Sequence, residues 1–155
     1  MAVWQVDFYV IKQSNARLYN EAISFDDNEE LLSWERAKIN KASLISIADV
    51  LPAETSWSKK IEQYGNLDET CLKIFSIDKQ LCQISFRLDV RSITRVIIYE
   101  VVNFITANNG IIVYNNKCYD ADEKILIDII KESNASKFCK DPEGFLSNLT
   151  DEFEF

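Results

Sequence analysis

The most regular pattern in the chain is an alternation of apolar and polar side chains over residues 82–91. The apolar positions are Ile84, Phe86, Leu88 and Val90, and the polar positions are Gln83, Ser85, Arg87, Asp89 and Arg91. Because successive side chains of a strand point to opposite faces, this alternation predicts a strand that packs on one side and is open on the other. The open face carries three charges in the order plus, minus, plus. We therefore predict that these charged side chains lie on the face opposite Phe86 and Leu88.

A strand with the same alternation is predicted near residue 1. Its apolar positions are Trp4, Val6, Phe8 and Val10, and they alternate with Gln5, Asp7 and Tyr9. If this strand neighbours the 82–91 strand, Asp7 and Tyr9 join the charged face. Residues 70–77 predict a further strand, which ends at the turn residues Asp78 and Lys79. The pattern therefore predicts an antiparallel hairpin whose second strand begins at Gln80.

Helical spacing of apolar residues follows the hairpin. The recurring positions are Ile93, Ile97, Val101, Phe104 and Ile105. Ser92 is the predicted N-cap, and residues 108–110 predict the end of the helix. A short buried strand is predicted over 111–114. The next helix is predicted through 125–130, where Asp120 and Glu123 have the spacing of a capping box, and a last helical turn begins at Asp141.

The first half of the chain is less regular. Residues 26–28 can cap a helix that runs through Trp34 and ends at Asn40 and Lys41. Residues 44–51 are apolar enough for a strand or a short helix, and the pattern leaves both open. Residues 51–58 predict a loop that leads into a short helical turn capped by Ser56, and residues 64–66 predict a turn.

The predicted elements follow the order strand, helix, hairpin, helix, strand, and then further helices. This order predicts an α+β protein in which an antiparallel or mixed sheet has helices packed on one face. The core would be a ferredoxin-like βαββαβ arrangement with C-terminal helices added. At 155 residues the chain fits a single α+β domain over residues 1–155, and its acidic tail, residues 151–155, is expected to fray.

Histidine is absent from the chain, which removes the commonest catalytic and metal-binding chemistry. Triads that use histidine are excluded, and so are the usual zinc sites and the usual general base. The cysteines lack CxxC spacing, and the glycines are too few to form a phosphate-binding loop. We therefore expect a protein that is not an enzyme and that uses neither a metal nor another cofactor. Cys71 and Cys82 flank the predicted hairpin, and we favour two packed thiols over a disulfide.

The net charge of −8 bears on the partners of this protein. It disfavours nucleic acids, because an acidic surface repels phosphates, and it suits a basic protein partner. Solubility alone also accounts for such a charge. The apolar runs are too short for a membrane span, and Asp7 comes too early for a signal peptide. These features predict a cytoplasmic protein that contacts no membrane.

Several short segments between residues 51 and 149 are similar to segments of other proteins. They are Leu51-Pro52, Ser56-Trp57-Ser58, Gly65, Arg87-Leu88-Asp89-Val90-Arg91, Ser133-Asn134-Ala135, Phe138 and Asp141-Pro142-Glu143-Gly144-Phe145-Leu146. Together they resemble a family of small uncharacterised bacterial proteins, and this resemblance brings no activity with it. In size, charge and aromatic content the chain is also similar to immunity proteins of bacterial toxin systems. That similarity implies a protein that neutralises a basic toxin by binding it.

The candidate binding residues are those of the open sheet face together with one tryptophan. They are Arg87, Asp89, Arg91, Asp7, Tyr9 and Trp57. Asp89 lies between two cations and can pair with either, and the simplest interpretation is a solvated surface. In the functional interpretation, the two guanidiniums bind a carboxylate or phosphate while Asp89 orients them. We expect Trp57 to anchor its loop to the core more than to make contacts at the surface.

Two kinds of function remain open. The first is a non-catalytic protein-binding module with a basic partner, for which aromatic residues should lie among exposed acidic ones. The second is a regulatory domain that binds a small molecule or an anion on the open sheet face, for which polar groups should converge on a pocket.

Overall fold

A computed structural model of the chain describes residues 2–15, 34, 38–78 and 80–141, with the backbone alone at 80–82. Seven strands form one antiparallel sheet in the order β2-β3-β4-β5-β1-β6-β7. The strands are β1 (Gln5–Lys12), β2 (Ala53–Glu54), β3 (Ile61–Gly65), β4 (Cys71–Ile77), β5 (Gln80–Asp89), β6 (Gly110–Tyr114) and β7 (Lys117–Tyr119). The predicted hairpin is confirmed as β4 and β5, and the predicted N-terminal strand is its direct neighbour.

Four α-helices accompany the sheet in the described residues, together with a short 3₁₀ helix at Gln13–Asn15. They are α1 (Lys41–Ala48), α2 (Arg95–Ala107), α3 (Glu123–Glu132) and α4 (Asn134–Lys140). Each begins at a polar N-cap whose side chain accepts a bond from a backbone N–H two or three residues into the helix. The caps are Asn40, Thr94, Asp122 and Ser133.

The core of the sheet has ferredoxin-like strand order. Strands β1, β4, β5 and β6 lie side by side as β4-β5-β1-β6, and helices precede β4 and β6 in the chain. This is the predicted βαββαβ order, in an α+β fold with helices packed on the sheet. Strands β2 and β3 extend it at one edge, and β7 extends it at the other.

The hydrophobic core lies between the helices and one face of the sheet, which we call the helix face. Alternating residues of β1 and β5 supply its centre, as the sequence pattern predicts. Phe86 stacks on Phe8 at 5.4 Å between ring centroids and meets Phe104 of α2 edge-on at 5.7 Å. These three rings join two central strands to the longest described helix, so the core is centred at this point.

The opposite face of the sheet, which we call the polar face, carries Asp7, Tyr9 and Arg87. It is not open along its whole width. Ile11 is fully buried, and Ile111 is only 5% exposed. The two residues are register partners on β1 and β6. The expectation of one open face therefore holds only in part, because Cys71 and Asp89 are buried on this face as well, whereas Asp7 and Tyr9 are exposed.

Two predicted N-caps are displaced by two residues. Thr94, and not Ser92, caps α2, because its hydroxyl accepts from the N–H of Ile97 at 3.2 Å. Asp122, and not Asp120, caps α3 through the N–H of Ile125 at 3.1 Å. Both helices have two possible capping residues, two positions apart in the sequence. In each helix the cap is the second of them, which lies closer to the apolar residues of the helix.

The segment from Asn40 to Asn66 differs most from the expectations. Asn40 begins α1 where the pattern predicted a helix end, and this settles residues 44–51 as mostly helical. Residues 55–60 form turns and not a helix, and β3 occupies residues that were predicted to be partly a turn. Strands β2 and β3 are too short to give a clear alternation, which explains why they were missed.

Some predictions lie outside the described residues. They are most of the helix expected over 26–39, the last helical turn after Asp141, and the tail at 151–155. Trp34 is described, and it is buried at 2% exposure. Its indole N–H donates to the carbonyl oxygen of Val10 at 3.2 Å, so this residue belongs to the core.

Candidate functional site

Arg87 and Asp7 face each other across β5 and β1 on the polar face. They are direct register partners, and Nε of Arg87 lies 3.1 Å from Oδ1 of Asp7. Nη1 of Arg87 also donates to the carbonyl oxygen of Leu67 at 3.2 Å. The side chain of Arg87 is only 17% exposed, so most of its surface is already covered by this chain.

Asp89 and Arg91 form a second ion pair where β5 ends. Nη2 and Nε of Arg91 donate to the two carboxylate oxygens of Asp89 at 2.8 and 3.0 Å. The side chain of Asp89 is 2% exposed, and its carboxylate also accepts from the backbone N–H of Arg91. These bonds from Arg91 hold the pKa of Asp89 below its usual value, although burial acts in the opposite direction. The same pairing raises the pKa of Arg91.

The predicted charge ladder is therefore two separate ion pairs. Arg87 and Asp89 take the strand positions that point away from the core, as predicted. Arg91 does not continue the ladder, because β5 ends at Asp89 and the chain turns. Its guanidinium lies over the ring of Trp4, 4.0 Å from the centroid, where a cation–π contact is favourable. Within the described part of the chain Asp89 forms its ion pair with Arg91, and Asp7 takes the place beside Arg87.

Tyr9 lies on the same face, two register positions beyond the Asp7–Arg87 pair. It is flanked by Ser85 of β5 and Val113 of β6, and it is 37% exposed. The prediction that Asp7 and Tyr9 join the Arg87 surface is confirmed, because β1 is the direct neighbour of β5.

The expectation that Trp57 anchors its loop to the core is wrong. The side chain of Trp57 is 81% exposed. The neighbouring residue holds the loop instead. The single hydroxyl hydrogen of Ser56 is shared between the carbonyl oxygens of Ser58 and Ile61, the latter at 2.6 Å, and the hydroxyl oxygen accepts from the N–H of Ser58. With Ser56 engaged inwards, the adjacent indole extends into solvent.

A cleft of about 530 Å³ lies beside Trp57 on the polar face. Its lining residues are Glu54, Thr55, Ser56, Trp57, Gln63, Asn66, Leu67 and Asp68. They come from β2, from β3 and from the two loops next to these strands. Glu54 and Gln63 are register partners, and Gln63 is in turn the partner of Lys73. The cleft thus belongs to the same face as the predicted site residues.

Two residues of the polar face, Gln5 and Arg87, hold one wall of this cleft in place. The side-chain amide of Gln5 donates to the carbonyl oxygens of Leu67 and Glu69 at 3.0 and 2.9 Å. Arg87 donates to the same oxygen of Leu67. The β3–β4 loop is thereby fixed to β1 and β5. The role that the structure gives Arg87 is therefore to position the wall of the cleft that Trp57 borders.

Sequence reasoning missed the cleft, although one local signal was available. Asn66 follows Gly65, and its side-chain oxygen accepts from the N–H of Asp68 at 2.8 Å. Asparagine in that position is typical of a turn that its own side chain stabilises. The other wall depends on β2, whose two residues carry no readable pattern.

Acid should weaken the protein through Asp89. Its folded-state pKa is lowered, so its stabilisation is complete above the unfolded pKa of about 3.9 and is lost as the pH falls through the folded pKa. We expect Asp89→Asn to reduce the free energy of unfolding by about 1–2 kcal/mol at pH 7, since a charge-assisted bond is lost. The difference should shrink below about pH 4, and urea denaturation from pH 7 to pH 2.5 measures it.

The control for this experiment is Asp7→Asn, which removes the more exposed of the two carboxylates. Its cost at pH 7 should be at most about 0.5 kcal/mol, because the side chain of Asp7 is 41% exposed and water solvates it. The free energies of unfolding of wild type and Asp89→Asn should differ less at pH 2.5 than at pH 7. An equally large difference at both pH values would show that the charge of Asp89 is not its cause.

Reactive chemistry is sparse in the described part of the chain. No group of three or more Asp, Glu or Cys residues there could hold a metal ion. Cys71 is a free thiol with no exposed surface, and burial raises its pKa, which makes it a poor nucleophile. Its register partner is Arg87 and not Cys82, as expected for a packed thiol. The described helices are also too short and too polar to cross a bilayer.

The fold and the cleft define an α+β protein with a ferredoxin-like sheet and a polar-face cleft at one sheet edge. Comparison with family models, with curated proteins and with solved structures gave no match to this chain.

Proposed function

We propose that this chain is a non-catalytic module that binds a basic protein partner through the Trp57 cleft. The observation that carries the proposal is the exposure of Trp57, which is 81%, beside a cleft that contains two carboxylates. Tryptophan is the residue most enriched among interface hot spots, because a large ring gains much from burial by a partner. Leaving such a ring in water has a cost that binding would remove.

The charges of the cleft favour a basic partner. Among the described lining residues, Glu54 and Asp68 are the charged ones, and the chain as a whole carries a net charge of −8. Lys59 and Lys60 follow Trp57 in the loop, but they are not part of the lining. Acidic groups around an aromatic anchor attract a basic surface and speed its approach. An immunity protein that neutralises a basic bacterial toxin is one module of this kind.

The alternative, a regulatory domain that binds an anion on the open sheet face, has less support. An anion would need free guanidinium groups, and both arginines hold carboxylates of this chain. Arg87 is also mostly covered. An anion would have to displace Asp7 or Asp89, which binds each arginine from within the fold.

Capture of the partner tests the proposal. Tagged full-length chain is incubated with lysate of its native host at low salt, and bound proteins are identified and quantified. We expect one stoichiometric protein of high isoelectric point, which is then purified for titration. Trp57→Ala should weaken its binding by about 30-fold or more, the usual range for a hot-spot tryptophan. The double variant Glu54→Gln/Asp68→Asn should slow association and reduce the dependence of binding on salt.

Two matched variants serve as controls. Ile45→Ala removes another large exposed side chain, which is 71% exposed on α1. Asp49→Asn/Asp120→Asn removes the same number of charges from two exposed acids outside this cleft. Both should bind the partner as the wild type does. A partner that binds Trp57→Ala as tightly as the wild type would refute the assignment of this cleft.

A further inference from the structure

A second groove lies at the other edge of the sheet, between the β6–β7 hairpin and α3. It has a volume of about 420 Å³ and is lined by Tyr114, Asn115, Tyr119, Ile125, Asp128, Ile129 and Glu132. Tyr119 is the register partner of Ile112, a core residue, so the hairpin presents its tyrosines on the helix face. The groove is therefore separated from the Trp57 cleft by the sheet, and it is independent of the proposed function.

The α3 wall of the groove follows from helical spacing. Ile125, Asp128, Ile129 and Glu132 are separated by three, four and seven residues, which places them on one side of the helix. Ile125 and Ile129 pack towards the core, whereas Asp128 and Glu132 are exposed. The groove thus has an apolar and aromatic floor and an acidic rim.

The two carboxylates of the rim are not neutralised from within the described part of the chain. Neither Asp128 nor Glu132 has an ion-pair partner among the described residues, where the ion pairs are those of Arg87 and Arg91. Like charges four residues apart on a helix repel each other. A cation placed between these two carboxylates would relieve the repulsion and satisfy both.

We propose that this groove binds the side chain of an arginine on a peptide segment of a partner protein. The apolar stem of arginine fits against Ile125 and Ile129, which a small inorganic cation would leave exposed to water. The flat guanidinium can lie on a tyrosine ring, and its N–H groups match the carboxylates at the rim. Lysine offers neither the flat surface nor the paired donors, so arginine is the better match.

Titration with short peptides tests the proposal on the full chain. The probes are acetyl-Gly-Arg-Gly-amide, its lysine analogue and its citrulline analogue, which keeps the shape of arginine without the charge. We expect the arginine peptide to shift amide resonances of residues 114–119 and 125–132 in a saturable way. The lysine peptide should bind more weakly, and the citrulline peptide should produce no saturable shift.

Matched charge variants separate this site from general attraction to an acidic surface. Asp128→Asn/Glu132→Gln should weaken binding of the arginine peptide about tenfold, as the loss of two charged contacts implies. Glu54→Gln/Asp68→Asn changes the net charge equally at the other cleft and should leave that affinity unchanged. Equal weakening by both variants, shifts spread over all exposed acids, or lysine binding as tight as arginine binding would overturn the proposal. None of these results depends on the Trp57 cleft.

Discussion

Phe86→Ala should reduce the free energy of unfolding by about 3–5 kcal/mol, the largest loss expected from any single side chain described here. Phe86 is 1% exposed, and its ring contacts Phe8 of β1 and Phe104 of α2. Truncation removes apolar contacts with both elements and leaves a cavity that neighbouring strands cannot close. Because small domains have a total stability of about 5–15 kcal/mol, the variant should be close to unfolding at room temperature.

The measurement is urea denaturation followed by both circular dichroism and tryptophan fluorescence. Phe75→Ala on β4 is the matched control, because this phenylalanine points to the polar face and is only partly buried. Phe75→Ala should reduce the free energy of unfolding by about 1–2 kcal/mol, because Phe75 buries a smaller area than Phe86. Phe86→Leu should retain most of the stability. A cost for Phe86→Ala no greater than that for Phe75→Ala would show that the core is not centred on the three rings.

Gly65→Ala is the second substitution that we expect to reduce the free energy of unfolding strongly, and it acts through the backbone. Gly65 ends β3 with φ of 86°, a conformation that side chains with a Cβ rarely adopt. A Cβ placed there would lie 2.3 Å from the carbonyl oxygen of Thr70, which belongs to the backbone and cannot rotate away. We expect the free energy of unfolding to fall by about 3 kcal/mol or more, since the strained φ angle and the clash both oppose folding.

Gly65 also affects the candidate site, because the loop after it forms one wall of the Trp57 cleft. If the Trp57 cleft binds a partner as proposed, the variant should lose that binding as well as stability, even at temperatures where it remains folded. Gly65→Asn separates the two causes, since asparagine tolerates positive φ but still carries a Cβ. If Gly65→Asn were as stable as the wild type, the clash with Thr70 would not be the cause.

The sequence predicted the centre of the fold well, because the central strands are long. Strands β1 and β5 have eight and ten residues, enough for the alternation to identify each buried side chain. The hairpin turn was also readable at Asp78, which adopts positive φ. The edges were not readable, since β2 and β7 have two and three residues and no period can be recognised over that length.

The candidate site was predicted only in part, for a related reason. Asp7 and Arg87 could be placed together, because strand alternation and register fix which side chains meet. The exposure of Trp57 could not be predicted, since it depends on the hydrogen bonds of Ser56 within an irregular loop. The link from Arg87 to the carbonyl oxygen of Leu67 joins residues 20 positions apart, and no local pattern encodes it.

The shortness of the two outer strands has a further consequence for self-association. A sheet of seven strands would offer long rows of unpaired N–H and C=O groups if its edges were full-length. Here β2 and β7 leave only a few such groups at either end of the described sheet. A second copy, or a foreign strand, has too little edge to continue the ladder. Short outer strands of this kind disfavour edge-to-edge aggregation and favour recognition through side chains.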